Sequence, residues 1–531
     1  MTKKFLIISG LLCSLLFVFC GCEKELEEKY NDPEKSTSAN LPGLLTGILD
    51  NNRVRPSYWN VRTFLLLHPA VYSQAAYFSN SNTMYQQSDS YVGEYWTNFY
   101  VPNGNGSGVI ALYRSMETVY NSLTAEEKAN QEVFMQAARI VLYDQASQMI
   151  DLWGDIPFSE AGSLESSSVI ANPKFDNQVE LYNTILAGLK ESAAFFGDAS
   201  SNASFTKADI LLSGSLIKWQ RYANSIRLRL LMRISKKDET TARTAVLEML
   251  NNGDTYPLVD GGNAANYAPG TTDILLKPLT TYTANLNSAL TELPSYYAPD
   301  YMLNTLMKPA DDPRIPVMFD KFGVTSNKVF TPNKEYAAMP ITFTASEQEN
   351  NFQKYSILDS ATFLQNPGLP GIVITASEVN FLKAEAYQRW GSTADAKNAY
   401  ETALKQSVTF YYYLNSLNTT GLTVLPKPAD SEIATFVTTS TAAYDGDDTE
   451  KLAKIWNQKW LHFGFLQSTQ AWAEYRRTNY PQLTFPTATL ANYTTPPTRL
   501  VYPSTETTYN TNYKDVQAKD TRTTKIFWDV D

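Results

Sequence analysis

Apolar residues recur at steps of three and four in four separate stretches of the chain, and each stretch predicts helix. In the first, about 107–153, Phe134, Ala138, Leu142, Met149 and Trp153 fall on one stripe, which Gln145 joins. The second, about 178–236, is sharpest in GSLIKWQRYANSIRLRLLMRIS. There Leu216, Trp219, Ala223, Ile226, Leu230 and Ile234 form the stripe, while Lys218, Arg221 and Arg229 lie largely off it. The third, about 373–407, carries Val379, Leu382, Ala386 and Trp390, breaks at Gly391-Ser392, and resumes with Thr393 placed to cap a second helix. The fourth, about 450–478, holds Leu452, Trp456, Trp460 and Phe463. Alanines at 384, 386, 399 and 403 let paired helices cross closely. The expected fold is mainly α: a tetratricopeptide-like scaffold of helical pairs with long loop-rich insertions and a few short strands.

Between these blocks, 50–105, 255–370 and 408–445 lack helical period and are rich in Asn, Thr, Ser, Pro and Tyr. Loops of such length in a compact protein are usually functional or carry small strands. The N-terminus has its own pattern. MTKK precedes an apolar run from Phe5 to Phe19, which has secretory-signal length but falls short of the about 20 apolar residues a membrane span needs. Gly21-Cys22 closes the run in a way that resembles a bacterial lipobox, although Phe19 and Cys20 stand where Leu and a small residue are usual. Cys22 is then the acylated residue, and EKELEEK at 23–29 a solvated tether. The expected division is a signal peptide at 1–21, a lipidated tether and N-terminal segment at 22–50, and one domain over 51–531. Within that domain the scaffold covers about 107–236 and 373–480, and the ligand loops about 51–106 and 255–370.

Composition narrows the chemistry. All three cysteines (Cys13, Cys20, Cys22) lie ahead of residue 23, which leaves the remainder without disulfides, thiol catalysis or cysteine metal sites. A net charge of −10, more negative still once Lys3 and Lys4 are removed, weighs against nucleic acid. With only His68 and His462, a serine–histidine triad or a histidine zinc site has little to build on. NGNGSG at 103–108 lacks the GK[ST] of a phosphate loop and reads as a turn into the helix at 109. Glycoside hydrolysis needs only two carboxylates, and 54 acidic residues leave it open as a minor alternative. The conspicuous sets nevertheless read as structural: Asp151 and Asp155 as a loop start, Asp311, Asp312 and Arg314 as a turn with an ion pair. No cofactor is expected. A structural calcium ion on loop Asp and Asn oxygens stays open, without the regular spacing of an EF-hand.

Aromatic residues make up 13% of the chain, with 33 tyrosines. A tyrosine ring suits both ligand stacking and the edge of a helical core. Residues 77–100, YFSNSNTMYQQSDSYVGEYWTNFY, interleave Tyr77, Tyr85, Tyr91, Tyr95, Trp96 and Tyr100 with Asn98 and other amides. A second cluster, TTYTANLNSALTELPSYYAPDY at 280–301, offers Tyr282, Asn285, Asn287, Tyr296 and Tyr297. Aromatic faces beside amide groups are the equipment for binding oligosaccharides, and peptides would use the same surfaces. YYYLN at 411–415 is a weaker candidate beside a helix end.

Longer stretches carry a resemblance. DLWGDIPFSEA (151–161), NPKFDNQVELYNTILAGL (172–189), KWQRYANSIRLRLLMRIS (218–235), DDPRIPVMF (311–319), ITASEVNFLKAEAYQRWG (374–391), WAEYRRTNYP (472–481), RLVYPSTE (499–506) and KIFWD (525–529) occur in this order. The series resembles the SusD/RagB family, on its SusD-like branch, over essentially the whole chain after Cys22. The resemblance implies a Bacteroidetes lipoprotein of the outer membrane. It would sit as a lid on a SusC-like TonB-dependent transporter and bind the oligosaccharide to be imported, or in some relatives a peptide. It implies no catalysis. The acidic residues after Cys22 resemble the signal that sends such lipoproteins to the outer face. These motifs are mostly fold signatures and transfer no ligand contacts, although the family's early region contributes loosely to its ligand site.

Overall fold

The computed structural model describes residues 39–102, 106–162, 172–200, 202–262, 264–488 and 493–530. The apolar leader, Cys22 and the acidic tether lie outside the described residues. The first helix, α1 (Leu41–Leu49), opens on Asn40, whose side chain accepts from Gly43 N–H at 2.8 Å. It buries Leu41, Leu45, Ile48 and Leu49 against later helices, so part of the segment assigned ahead of residue 50 belongs to the packed body.

Each periodic block resolves into separate helices that pack as neighbours. After α2 (Asp89–Tyr100), the first gives α3 (Val109–Asn121) and α4 (Ala125–Trp153). The break falls where Thr124 begins a capping box: its hydroxyl accepts from Glu127 N–H, and the Glu127 carboxylate accepts from Thr124 N–H at 2.8 Å. The second block gives α5 (Gln178–Asp198), a short turn of helix at Ala203–Ala208, and α6 (Leu216–Ile234). A short helix, α7 (Leu286–Thr291), lies in the long middle insertion. The third block gives α8 (Ala376–Trp390) and α9 (Thr393–Ser416), and the fourth α10 (Asp448–Phe463) and α11 (Ser468–Thr478). The cap of α9 is Ser392 and not Thr393, since Ser392 Oγ accepts from Asp395 N–H at 3.1 Å. Pairs α5/α6, α8/α9 and α10/α11 pack side by side, and α6, α8 and α10 touch across pairs. This is the helical-pair scaffold that the spacing predicts.

Two expectations fail. Residues 77–100 are not an open loop: α2 (Asp89–Tyr100) occupies half of them and buries Val92, Tyr95, Trp96, Asn98 and Phe99. YYYLN lies inside α9, which runs to Ser416 because Phe410, Tyr411 and Leu414 continue its buried face. Among the described residues there are four two-stranded antiparallel ribbons: Ile156–Pro157 with Phe175–Asp176 between the first two helical blocks, and, in and at the edge of the long middle insertion, Ile274–Leu276 with Gly371–Ile374, Phe319–Asp320 with Ile357–Leu358, and Gly323–Ser326 with Val329–Pro332.

The interior of the stack is charged as well as apolar. Arg229, off the apolar stripe by periodicity, is buried nonetheless, because α6 is enclosed by α4, α5 and α8. Its guanidinium bonds Glu378 at 2.5 and 2.8 Å and lies 3.5 Å from Asp144. Arg477 bonds Glu385 and Glu474 at 2.6 and 2.7 Å, and Lys459 approaches the same two carboxylates at 3.4 and 2.7 Å. Every one of these side chains is buried. Charges removed from water need partners, and these partners bind α8, α10 and α11 in one register. No helix among the described residues is long and apolar enough to cross a membrane.

Candidate functional site

A wide cleft opens where the first insertion meets the middle one. After Pro56, Ser57 starts a helix: Asn60 N–H donates to its Oγ at 3.2 Å and Val61 N–H to its carbonyl at 2.9 Å. Tyr58 and Trp59 therefore stand in the first turn, next to a helix end. The same helix continues through a π-helical stretch, Asn60–Leu65, whose Val61, Phe64 and Leu65 face the core. Trp59 is 47% exposed, and its ring meets Tyr58 edge-on at 5.4 Å. The opposite wall is the short helix Thr280–Thr283 together with α7. Ser57, Tyr58, Trp59, Tyr282, Asn285 and Glu292 are among the residues that line the resulting space, about 470 Å³.

Cross-links hold these walls in place. The Tyr58 hydroxyl donates to Glu292 at 2.7 Å, and Arg62 Nε donates to the same oxygen at 3.2 Å. The bond to Glu292 raises the Tyr58 pKa, because it stabilises the protonated phenol. Asn52 donates to the Tyr282 hydroxyl at 3.1 Å. Arg55 reaches the Lys277 carbonyl at 2.8 Å and pairs with Asp50, which ties the segment before the cleft to the strand before Thr280. Below the cleft, Phe64 stacks flat on Tyr95 at 3.5 Å, and the Arg53 guanidinium lies 3.9 Å from the same ring. The cleft thus presents one half-exposed indole, two phenols, an amide, three aliphatic hydroxyls and a carboxylate whose charge is offset by Arg62. That set can stack on a sugar face and bond its hydroxyls.

The twelve candidate ligand residues are placed unequally. Tyr282 and Asn285 line the cleft, and Asn287 is exposed nearby on α7. Tyr91 is half-buried on α2. The others point into packed structure. Tyr77 is buried, with its hydroxyl on Met339 Sδ at 3.1 Å and its ring edge-on to Tyr297 at 5.7 Å. Tyr85 donates to the Pro486 carbonyl at 2.7 Å and Tyr100 to the Pro157 carbonyl at 3.0 Å. Trp96 packs on Trp153 and Tyr502 and donates to Glu506 at 3.2 Å. Tyr95 and Asn98 are buried, and Tyr296 lies 4.4 Å from the buried Tyr297 ring. α2 turns Tyr95, Trp96 and Asn98 into the core, Tyr77, Tyr85 and Tyr297 are buried from segments outside it, and Tyr100 and Tyr296 are partly buried. Tyr58, Trp59, Arg62 and Glu292 were missed by sequence reasoning. The signal available was the adjacent aromatic pair directly after RPS at 55–57.

The groups that could suggest catalysis are engaged structurally. His462 sits between Thr375 Oγ1 at 2.7 Å and Ser407 Oγ at 2.9 Å, and burial lowers its pKa to about 3. Burial lowers His68 to about 4. Asp151 accepts from Trp528 Nε1 at 2.8 Å, Asp155 from Gln178 N–H at 2.9 Å and Lys519 at 2.8 Å, and Asp312 holds Arg314 in a buried pair. Among the described residues, no three His, Cys, Asp or Glu side chains gather as a metal ligand set.

A helical-pair scaffold whose insertions enclose an aromatic, hydroxyl- and amide-lined cleft defines a binding protein in architecture. A family model described as SusD-like, starch-binding and associating with the outer membrane matches residues 34–503, and the chain belongs to that family. Solved structures agree in fold. A chitin-binding protein superposes with TM-score 0.73 at 23% identity, covering 93% of this chain and all of that one. A chitin-binding SusD homologue from Flavobacterium johnsoniae gives 0.68 at 21%, covering 92% and 99%. A SusD homologue from Bacteroides fragilis gives 0.70 at 20%, covering 92% and 100%. A sequence search of curated proteins returned no match.

Proposed function

We propose that this protein is a lipid-anchored glycan-binding protein of the outer membrane, that its cleft between Trp59 and Tyr282 captures an uncharged oligosaccharide, and that it hands the oligosaccharide to a SusC-like TonB-dependent transporter. The half-exposed Trp59 indole beside bonded hydroxyls and amides carries this reading. The Trp59 indole leaves nearly half its surface in water at the cleft wall, beside groups that can bond a sugar's hydroxyls. Family membership supports glycans as the ligand class, and the starch- and chitin-binding descriptions of the family and its structural neighbours suggest glucan or chitin fragments. Cys22 supplies the anchor, and the acidic tether directs the protein to the outer face. The protein binds without catalysis: its ionisable groups of note lock the scaffold. Anchoring beside a transporter raises the local ligand concentration, which lets a weak site serve uptake.

Calorimetry with malto- and chitooligosaccharides, on the native protein and on Trp59→Ala, tests the ligand class and the cleft together. Saturable binding that Trp59→Ala weakens is the expected result. Binding restricted to peptides would reject the ligand class, and sugar binding indifferent to Trp59 would reject the cleft. Co-purification from outer membranes with a TonB-dependent transporter tests the partner.

A further inference from the structure

Past Glu292 on one wall of the cleft the chain runs on into Leu293, Pro294 and Ser295, and past the helix of Trp59 on the other it turns through Leu66, Leu67 and His68. Both continuations line a second hollow of about 190 Å³, closed on its far side by the segment from Phe78 to Ser88. The Arg62–Glu292 pair, 3.2 Å apart, bridges the two walls at the junction. Its guanidinium and carboxylate are partly exposed, at 20% and 43% of their side-chain surfaces, so both can bond hydroxyls of a chain passing over them.

The second hollow differs in chemistry from the first. Its lining is mostly apolar, from Leu67, Val71, Phe78, Met84 and Pro294, and the hydroxyls and amide of Ser81, Thr83 and Gln86 stand exposed at its edge. No acidic, lysine or arginine side chain lines it. Its single ionisable group, His68, is buried; Nε2 accepts from Ser88 N–H at 3.2 Å, so the ring is neutral and occupied. At about 190 Å³ the space is less than half that of the first cleft, about 470 Å³, the scale of one sugar unit and not of a chain. An apolar floor with a hydroxyl-bearing edge fits a sugar whose ring bonds at the rim while a methyl-bearing group points down.

We propose that this hollow is a second subsite, taking the next unit of the oligosaccharide that lies on Trp59, and that it selects an uncharged sugar bearing an acetyl or methyl substituent. The proposal rests on the reading of the first cleft as a glycan site and adds to it a minimum ligand length and a substituent preference. A purely hydroxylated unit would fill the floor with groups that lose water without gaining a partner.

The test uses the full chain in detergent, with N-acetylchitooligosaccharides and maltooligosaccharides from disaccharide to hexasaccharide as probes. Thr83→Trp blocks the hollow from its exposed edge without disturbing the core, and Trp59→Ala removes the first platform. The expected result is a gain of about tenfold in affinity from the disaccharide to longer N-acetylated chains, abolished by Thr83→Trp while disaccharide binding persists. Maltooligosaccharides should show little such gain. A length gain that survives Thr83→Trp overturns the second subsite, and an equal gain for both sugar series that Thr83→Trp removes overturns the substituent preference. Disaccharide binding untouched by Trp59→Ala, or no binding to any probe, sinks the first cleft and this proposal with it.

Discussion

Two tryptophans in this chain should respond in opposite ways to the same substitution. Trp59 has nearly half its surface in water and one edge-on ring contact, whereas Trp96 is 2% exposed and packs on Trp153, Tyr100 and Tyr502. Truncating a fully buried tryptophan costs about 3–5 kcal/mol. At Trp96 the change also strips Glu506 of a bond, for about a further 1 kcal/mol. At Trp59 most of the packing term is absent, so a loss below about 2 kcal/mol is expected. Binding should follow the reverse order. A stacked ring contributes about 1 kcal/mol, which weakens Kd about fivefold in Trp59→Ala. Trp96→Ala should bind in proportion to its folded fraction. Denaturant unfolding and calorimetry on the same preparations separate the two effects. An unaltered Kd for Trp59→Ala would refute the cleft as the ligand platform. A Trp96→Ala variant of native stability that no longer binds would move the site to the face of α2.

Four further outcomes follow from the charge pattern and the leader. Glu385→Ala should destabilise by about 3–5 kcal/mol, read by denaturant unfolding, because it leaves Arg477 and Lys459 buried with fewer partners. Burial alone would raise the Glu385 carboxyl, but Arg477 and Lys459 hold it at about 2; its contribution is present above the ordinary glutamate range near about 4.3 and is lost as pH falls towards about 2, so a Glu385→Gln variant should lose part of the wild-type acid-unfolding slope in that window. Asp273 goes the other way: burial raises it to about 7, and bonds from Tyr267 and Ala376 N–H offset only part of this. Its folded form favours the proton, so it erodes stability as pH climbs from about 4 to about 7, and Asp273→Asn should flatten stability measured across that range. Cys22→Ala should leave the protein unlipidated and shift it out of the membrane fraction, as fractionation of cells would show.

The scaffold was legible because its helices are long and each buries one stripe. Leu216, Trp219, Ala223, Ile226 and Ile234 are all on or beside the buried face that their spacing predicts. Helix boundaries were less legible, since they depend on single hydrogen bonds: Thr124 splits one periodic run, and Ser392 takes the cap that Thr393 was expected to hold. Arg229 escaped the pattern for another reason, and Arg233 is buried on the same helix. Periodicity treats arginine as a surface residue, whereas a stack of helical pairs has an interior between its layers. Charged side chains persist there when Asp144, Glu378 and Glu474 arrive from other helices to meet them.

The site was only half legible, and the tyrosines explain why. Density of aromatic and amide residues cannot distinguish a ring that stacks on a ligand from one that stacks on Arg53 or Phe64, as Tyr95 does. What decides is the face a helix turns outward, and 77–100 shows too little periodicity to reveal α2. The second cluster fared better because Tyr282 and Asn285 sit on short helices with one side always in solvent. Trp59 was concealed because its only sequence signal is one adjacent aromatic pair, Tyr58-Trp59, which is far weaker than the dense clusters elsewhere. Yet those buried rings are what make Trp59 effective. Phe64, on the same helix, is clamped on Tyr95, and the walls are tied by Tyr58, Arg62 and Asn52, so the indole is held in place before a ligand arrives. A platform already ordered loses less freedom on binding, and each weak sugar contact then counts for more.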